Sequence, residues 1–493
     1  ADNFFFSGFF LALFGESTFL FWGFVCAWVL LFFVFVEVGT FCFDAMAHGR
    51  GIGGGQVGWF SGKEQVEGHK SRLARSLSGQ GQYFCDTVEM AATPSPVFIH
   101  NASFIEVACG EHFSAAISTN HDLYTWGRSE NLQLGYNISK AHAQPSTKPP
   151  SRLGQGGSPM PRVVPALAGR VHAVSIGTDH VCAVDQEGQL YTWGRGSFSQ
   201  LGLGDSKDRV EPSAVPGLTP VIDVSTGWRF TVCVCEDGAV YSWGAGSAGQ
   251  LGHASKLRRR VPTPVKFFEQ WRGSNVRVST LSCGETHVFA LTNEGKLYGW
   301  GSNENGRLGV GPEVQDSTIP TEINLLHPVR QVHAGNRHSA CVDEGGSVYT
   351  WGCGSNGRLG HGTTDDVYVP TKVVSTVLTK HVRVVRAKCG VSHTCALDRK
   401  GQLYVWGCGN SGRLGISGSK HDDKVRPVRL AHPHPLQGVD CGANHNVALS
   451  KKDGRLVSSV RLIGEGTLPP SNILAFLFFL FFLFSLFVLV LSV

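Results

Sequence analysis

The chain of 493 residues lacks the short motifs that mark common catalytic and metal sites. It has no Gly-x-Ser-x-Gly nucleophile elbow and no His-Glu-x-x-His zinc helix. No Cys-x-x-Cys or His-x-x-x-His pair accompanies its histidines. The net charge is only +5 and there is no long basic tail, so charge alone does not indicate a nucleic-acid ligand. We therefore predict a non-enzymatic protein with no metal and no other cofactor, for which nucleic-acid binding is not expected.

What the sequence has in abundance is internal repetition. A Tyr-x-Trp-Gly segment occurs six times, and its tryptophans are Trp126, Trp193, Trp243, Trp300, Trp351 and Trp406. A marker of the form Gly-x-x-His or Gly-x-x-Phe precedes each copy and occurs a seventh time at 442–445. Short apolar runs, turns ending in Gly and Gly-rich loops separate the markers, without amphipathic helical periodicity. The pattern predicts an all-β protein built from seven repeats.

These Gly-x-x-His, Asp-Gly, Tyr-x-Trp-Gly and Gly-(Gln/Arg)-Leu-Gly segments extend over about 98–455. Their combination resembles the regulator of chromosome condensation repeat family. The resemblance implies a seven-bladed β-propeller, which we assign to 98–466. A stretch rich in Pro and Gly at 140–165 is predicted to be a flexible insertion. Residues 46–97 are predicted to be a linker, and 57–62 are the candidate for a strand that closes the ring.

The two ends differ in composition from the repeats. Residues 19–36 and 473–493 carry no charge and are long enough to cross about 30 Å of hydrocarbon. The segments 1–45 and 472–493 are interpreted either as transmembrane helices or as translated non-coding sequence. Basic residues on the inner sides of the two runs predict a propeller on the cytoplasmic face of a membrane. Without genuine membrane helices, we expect the protein in the cytoplasm or nucleus.

Cysteines recur at equivalent positions of the repeats. Four of the 14 come directly before a marker glycine, at Cys109, Cys283, Cys389 and Cys441. Equivalent positions lie in different blades, so these residues are not spaced as local disulfide partners. We predict buried, reduced thiols. The basic run at 380–388 alternates in part, and we interpret it as a strand with one solvated face.

The positions around the marker glycine and histidine are the candidate site. The residues between them vary while the rest of the repeat is constant, and around a ring they converge on one rim. In the exchange factor that founded the family, residues at such positions face the small GTPase Ran. The resemblance therefore implies a protein partner, with a Ran-like small GTPase as one candidate. The candidate partner-binding residues are Glu111, His112, Asp179, His180, Trp228, Arg229, Glu285, His287, Arg337, His338, His393 and His445.

Three functions stay open at this point. The first is a monomeric scaffold for protein–protein interaction that regulates a small GTPase. The second is guanine nucleotide exchange on a Ran-like GTPase, through preferential binding of the nucleotide-free form. The third is chromatin association, which the missing basic tail disfavours. The segment 227–231 also resembles a motif of a plant photoreceptor in this family, but other repeats lack tryptophan there, so photoreception is not predicted.

Overall fold

The computed structural model describes residues 88–89, 95–97, 102–137, 157–416, 422–458 and 461–462. All of them belong to one compact unit, Phe84–Val493. They form seven four-stranded antiparallel sheets and one two-stranded sheet. The first strands of the seven larger sheets surround a central channel. The predicted seven-bladed all-β propeller is confirmed.

The strands follow one another with little other regular structure between them. In chain order they are β1 (Val88–Glu89), β2 (Ser95–Val97), β3 (Phe104–Cys109), β4 (Phe113–Ser118), β5 (Leu123–Arg128), β6 (Gly157–Val163), β7 (Val171–Ile176), β8 (His180–Asp185), β9 (Leu190–Gly194), β10 (Arg209–Ala214), β11 (Val221–Thr226), β12 (Phe230–Cys235), β13 (Val240–Gly244), β14 (Arg259–Pro264), β15 (Val278–Cys283), β16 (His287–Thr292), β17 (Leu297–Ser302), β18 (Asp316–Ile323), β19 (Val329–Ala334), β20 (His338–Asp343), β21 (Val348–Gly352), β22 (Val367–Lys372), β23 (Val384–Cys389), β24 (His393–Asp398), β25 (Leu403–Gly407), β26 (Lys424–Arg429), β27 (Leu436–Cys441), β28 (Asn446–Ser450), β29 (Leu456–Ser458) and β30 (Arg461–Leu462). Short 3-10 helices lie at Pro165–Leu167, Lys266–Trp271, Glu304–Gly306, Ser355–Gly357 and Asn410–Gly412.

In blades 1 to 6 the four strands follow sequence order from the channel outward. Blades 1 to 6 are β3–β6, β7–β10, β11–β14, β15–β18, β19–β22 and β23–β26. Blade 7 contains β27, β28, β29 and, as its outer strand, β2. The marker glycines therefore lie in the turns between first and second strands. We call the side of the ring that carries these turns and the loops between third and fourth strands the upper face.

The position of a strand in its blade explains its composition. Every residue of the second strand β8 is buried, as is every residue of β12. These strands have a neighbouring blade on each face, so they are continuous apolar runs instead of alternating ones. The outer strand β22 is half exposed. The inner strand β11 alternates between the core and the channel.

The outer strands carry proline near their middle. The prolines are Pro161, Pro212, Pro262, Pro320, Pro370 and Pro427. The pairing register between third and fourth strands shifts in each of these six blades. Proline has no N–H to offer an additional strand, so it is tolerated at these edges and limits sheet-to-sheet association of propellers.

The glycine of each Tyr-x-Trp-Gly segment has a positive φ, between 96° and 107°. A Cβ on Gly194 would lie 2.5 Å from the carbonyl oxygen of Asp179. The Arg195 N–H donates to that same oxygen at 2.9 Å. Glycine is therefore required where the third strand passes close to the turn that carries the candidate residues.

Adjacent blades are joined by a hydrogen-bonded arrangement that we call the inter-blade bridge. Between blades 2 and 3, His180 Nε2 is hydrogen-bonded to Thr231 Oγ1 at 3.0 Å. The Thr231 hydroxyl donates to the Gln200 carbonyl oxygen at 2.9 Å, and Trp243 Nε1 donates to the same oxygen at 2.9 Å. His180 and Gln200 come from one blade, while Thr231 and Trp243 come from the next. The repeated histidine and tryptophan thus act between blades.

The same bridge recurs around the ring. Between blades 4 and 5 it consists of His287, Ser339, the Arg307 carbonyl oxygen and Trp351. Between blades 5 and 6, His338 pairs with Thr394, whose hydroxyl donates to the Arg358 carbonyl oxygen. Between blades 6 and 7, His393 pairs with Asn446, whose side-chain amide donates to the Arg413 carbonyl oxygen. His445 then pairs with Ser114 of blade 1 at 2.8 Å.

The ring is closed by a strand from the N-terminal side of the repeats. Strand β2 pairs antiparallel with β29, with Ser95 opposite Ser458 and Val97 opposite Leu456. The predicted closing strand at 57–62 lies outside the described residues, and Ser95–Val97 takes the place assigned to it. The propeller therefore begins before residue 98. Three residues without a Trp-Gly segment gave no repeat signal by which to find this strand.

The end of the predicted insertion is also part of the fold. Gly157–Val163 forms β6, the outer strand of blade 1. Its prolines indicated a loop, but proline is common in the outer strands of this ring. The part of the predicted insertion before residue 157, at 140–156, lies outside the described residues.

The predicted membrane segments lie outside the described residues. Among the residues that the structure describes, no helix has the length and apolarity needed to cross a membrane. The membrane helices and the location of the protein stay predictions.

Replacing Thr231 with Val tests the inter-blade bridge. The change keeps the shape of the side chain but removes the hydroxyl between His180 and the Gln200 carbonyl oxygen. Leaving buried polar groups unpaired should lower the free energy of unfolding by about 1–3 kcal/mol. Urea denaturation of the full chain measures this, with Thr231→Ser as the control that keeps the hydroxyl. Equal loss of stability in both variants would contradict the bridge.

Candidate interaction face

The variable candidate residues share the upper face. Glu111 and His112 lie on the first turn of blade 1 and Asp179 on that of blade 2. Trp228 and Arg229 follow on blade 3, Glu285 on blade 4 and Arg337 on blade 5. The charges of Asp179 and Glu285 both act on the Glu111 carboxyl, whose pKa is raised mainly by burial. The structure therefore brings residues from different blades together on one rim.

Most of the marker histidines have a different position. His180, His287, His338 and His393 have no exposed surface, whereas His445 is partly buried. Burial lowers the pKa of His180 and His393 to about 3 and that of His445 to about 4. The side-chain hydrogen bonds of these histidines run between neighbouring blades. The parts of the candidate set open to solvent are its turn residues.

Asp179 is held in place by residues from two blades. Arg195 Nη1 lies 3.3 Å from Asp179 Oδ2, and Asn131 Nδ2 donates to Oδ1 at 2.8 Å. Asn131 belongs to the loop of blade 1 and Arg195 directly follows the third strand of blade 2. The Asp179 carboxylate is therefore fixed on the upper face while part of it stays accessible to solvent.

Arg229 forms an aromatic and cationic cluster with two rings. Its guanidinium carbon lies 3.7 Å from the centre of the Trp228 ring and 4.1 Å from the centre of the Phe198 ring. Both distances are within the range of cation–π attraction. Burial lowers the pKa of Arg229, and the nearby Arg195 lowers it further. Arg229 Nε is buried without a hydrogen-bond partner.

Glu285 connects two arginines. It lies 3.8 Å from Arg307 Nη1 and 3.5 Å from Arg337 Nε. Arg307 is buried and also donates to Thr286 Oγ1 at 2.9 Å and to Glu304 Oε2 at 2.7 Å. Arg337 is about half exposed, with 52% of its side chain accessible. Of the two arginines, Arg337 is the one whose charge is accessible to a partner.

A channel of about 510 Å³ lies inside the ring. It is lined by the first strands of all seven blades, and its mouth includes Glu111, Trp228 and Glu285. The candidate residues therefore surround an opening on the upper face.

The channel wall carries opposite charges close together. Lys388 Nζ lies 3.2 Å from Asp440 Oδ1, and Cys109 N–H donates to Asp440 Oδ2 at 2.7 Å. Burial alone would lower the pKa of Lys388, but the Asp440 carboxylate raises it above the usual range. The basic run at 380–388 was interpreted as a strand with a solvated face. The structure instead turns Lys388 into the channel, where it pairs with blade 7.

Two channel carboxyl groups have raised pKa values. Burial raises the pKa of Glu106 to about 7 and that of Asp223 to about 6. The Leu281 N–H donates to Asp223 Oδ2 at 2.8 Å and opposes the rise. No motif in the sequence indicated these residues. The available signal was their alternate position on the strands that lead to the marker glycines.

Comparison with known proteins identifies the family. The model of the RCC1-like domain matches residues 74–334, which is more than half of the chain. The model of the regulator of chromosome condensation (RCC1) repeat matches residues 345–397 and 400–449. The molecule is thus a seven-bladed repeat propeller. The chain belongs to the regulator of chromosome condensation repeat family, as predicted.

The relatives of the chain include proteins named as a receptor and as a ubiquitin-protein ligase. The chain is 35% identical over 284 residues to the ultraviolet-B receptor UVR8 of Arabidopsis thaliana, covering 56% of the chain and 60% of the receptor. It is 30% identical over 361 residues to the probable E3 ubiquitin-protein ligase HERC6 of Homo sapiens, covering 72% of the chain and 28% of the ligase. Over 421 residues it is 27% identical to the mitochondrial RCC1 domain-containing protein RUG3 of Arabidopsis thaliana, covering 81% of the chain and 87% of RUG3. The chain thus spans less than two thirds of the receptor and of the ligase.

Solved structures share the fold. Human WBSCR16 matches with a TM-score of 0.61 and 24% identity, over 73% of this chain and 90% of that chain. Prp20p of Saccharomyces cerevisiae, studied for its binding to Gsp1p and histones, matches with a TM-score of 0.58 and 24% identity. The match covers 73% of this chain and 83% of the Prp20p chain. At this identity the likeness shows the propeller fold.

Replacing Glu106 with Gln tests the channel electrostatics. An ionised Glu106 with a pKa of about 7 destabilises the native state above that pH, relative to an unfolded chain with the ordinary value of 4.5. We expect the variant to exceed the wild type in unfolding free energy by about 2 kcal/mol at pH 8, with the gap closing as the pH falls towards 4.5. Urea denaturation between pH 4.5 and 8 measures the gap.

Comparing the two proteins at each pH cancels the effect of the buried histidines. Their lowered pKa makes both proteins lose stability as the pH falls below the ordinary histidine value. Glu211→Gln, on the exposed outer strand β10, controls for the loss of one carboxylate. A Glu106→Gln gap that does not depend on pH would contradict the buried, titrating carboxyl.

Proposed function

We propose that this propeller is a non-enzymatic scaffold whose upper face binds a protein partner. The observation that carries the proposal is the cluster of Arg229 with Trp228 and Phe198, of which Trp228 lines the mouth of the channel. Trp and Arg are enriched among the residues that dominate binding energy at protein interfaces.

The charges around the cluster favour a partner with a mixed surface. Arg337 is accessible beside Glu285, and Asp179 is held beside Arg195. Such paired charges on a rigid face give specificity through complementarity more than raw affinity. The face is rigid because the turns of blades 1 to 6 are bonded to the end of the third strand of their own blade, as in the bond from Arg195 N–H to the Asp179 carbonyl oxygen.

An upper-face variant tests this function. We expect Trp228→Ala/Arg229→Ala/Arg337→Ala in the full chain to weaken partner binding by tenfold or more, because central aromatic and arginine contacts each contribute about 1–3 kcal/mol. Quantitative affinity enrichment from the native extract identifies candidate partners. The dissociation constant of each recombinant candidate is then measured for both proteins.

The control variant changes the other side of the ring. Glu187, Glu344 and Lys400 are exposed on turns between second and third strands, so Glu187→Ala/Glu344→Ala/Lys400→Ala leaves the upper face intact. Partners retained by this control and lost by the upper-face variant support the proposal. Equal recovery by both variants would place the binding surface elsewhere.

Guanine nucleotide exchange on a Ran-like GTPase is the second candidate. It is favoured by Glu111, Asp179 and Glu285, whose carboxyl groups lie on the first turns of blades 1, 2 and 4 of one face. A face that binds the nucleotide-free GTPase more tightly than the loaded form lowers the affinity for nucleotide by the same factor.

Release of a fluorescent nucleotide from a Ran-like GTPase tests exchange. With micromolar full chain, the exchange hypothesis predicts accelerated release, and Asp179→Asn should reduce the acceleration at least tenfold if this carboxylate contacts the GTPase. Glu187→Gln, on the opposite side, serves as the matched control. Release at the intrinsic rate in the presence of the wild-type chain would remove this candidate and leave the scaffold proposal to its own test.

A further inference from the structure

The contact between blades 6 and 7 holds a buried group of one histidine and two cysteines. His393 and Cys395 lie on β24, and Cys441 lies at the end of β27. A ring nitrogen of His393 and the two sulfur atoms all lie within 4.8 Å of one another. All three side chains are buried, with exposed fractions of 0%, 0% and 6%. Within the described ranges this is the one group of three such donors that could hold a metal ion.

The hydrogen bonds of Asn446 define the protonation of His393. The Asn446 amide nitrogen donates to the Arg413 carbonyl oxygen at 2.6 Å, so its Oδ1 faces His393 Nε2, also at 2.6 Å. Oδ1 can only accept, so Nε2 carries the proton. The lone pair of Nδ1 is then free, and Nδ1 is buried without a hydrogen-bond partner. An imidazole whose other N–H is fixed by an outer partner is the usual form of a metal-ligating histidine.

The fold alone does not require these sulfur atoms. The same free Nδ1 recurs in His180, which has Cys182 two residues further on. The residue of blade 3 equivalent to Cys441 is Thr226, so a second sulfur is missing there. The contact between blades 6 and 7 also differs in its bridge, because β29 carries no tryptophan to donate to the Arg413 carbonyl oxygen. The pair of sulfur atoms is thus a feature of the contact between blades 6 and 7 that the contact between blades 2 and 3 lacks.

We propose that His393, Cys395 and Cys441 bind a Zn²⁺ ion that joins blade 6 to blade 7. Thiolate and imidazole are the ligands that Zn²⁺ prefers, and three protein ligands leave the fourth tetrahedral position open. Binding replaces two S–H bonds by two Zn–S bonds and releases two protons to solvent. The charges of one Zn²⁺ and two thiolates cancel, which suits a buried site, whereas a monovalent ion would leave a net negative charge there.

Metal content after refolding tests the site. The full chain is unfolded with a chelator, refolded with excess Zn²⁺, freed of loose metal and analysed by mass spectrometry. We expect about one zinc ion per chain in the wild type and loss of that ion in both Cys395→Ser and Cys441→Ser. Cys182→Ser, which changes the equivalent cysteine of blade 2, should keep it.

A second readout does not depend on the folding of the variants. The wild-type chain refolded with Co²⁺ should show the thiolate-to-cobalt charge-transfer absorption of a sulfur-ligated site, and added Zn²⁺ should abolish it. Refolded wild type without zinc and without this absorption would overturn the proposal. So would zinc content that is unchanged in both cysteine variants, or loss of two titratable thiols that a reductant reverses, since that result would show a disulfide instead.

Discussion

The bonding between blades is the constraint on which the rest of the structure depends. A four-stranded sheet with two apolar faces is not stable alone in water. Each blade therefore buries its faces against its two neighbours. Apolar contact alone does not fix how the blades are aligned. The shared carbonyl oxygen of Gln200, which accepts from Thr231 and Trp243 of the next blade, gives a directional link. Repeated around the ring, such links hold the turns of the upper face at fixed positions.

This constraint separates two kinds of position within the repeat, those that recur in the blades and those that vary. The glycine, histidine and tryptophan recur because the inter-blade bridge and the close approach at Gly194 need them. The residues between glycine and histidine face solvent or the channel mouth and are free to differ from blade to blade. Variation in Asp179, Trp228 and Glu285 is therefore compatible with one scaffold, and it is this variation that gives the face a particular chemistry.

The sequence was sufficient to predict the seven-bladed fold because the marker glycine occurs in all seven repeats. Local pattern also located the upper-face turns, since the marker glycine fixes where each first strand ends. It did not reveal the partners of these turns, such as Phe198 beside Arg229, because that contact joins a loop of blade 2 to a turn of blade 3. Closure by Ser95–Val97 was missed for a related reason, since pairing with β29 is a long-range contact without a local motif. The sequence also does not show which blade supplies the hydrogen-bond partner of each marker histidine.

The seven blades form one closed ring, which should therefore unfold cooperatively. Native-state hydrogen exchange of the full chain, followed by mass spectrometry at increasing denaturant, is the sharpest test of closure. In a closed ring, the second strands of all seven blades, β28 included, should exchange through a single opening with the free energy of global unfolding. Separate and much easier exchange of β28 and β29, with the other blades still protected, would show an open end and contradict the closed ring.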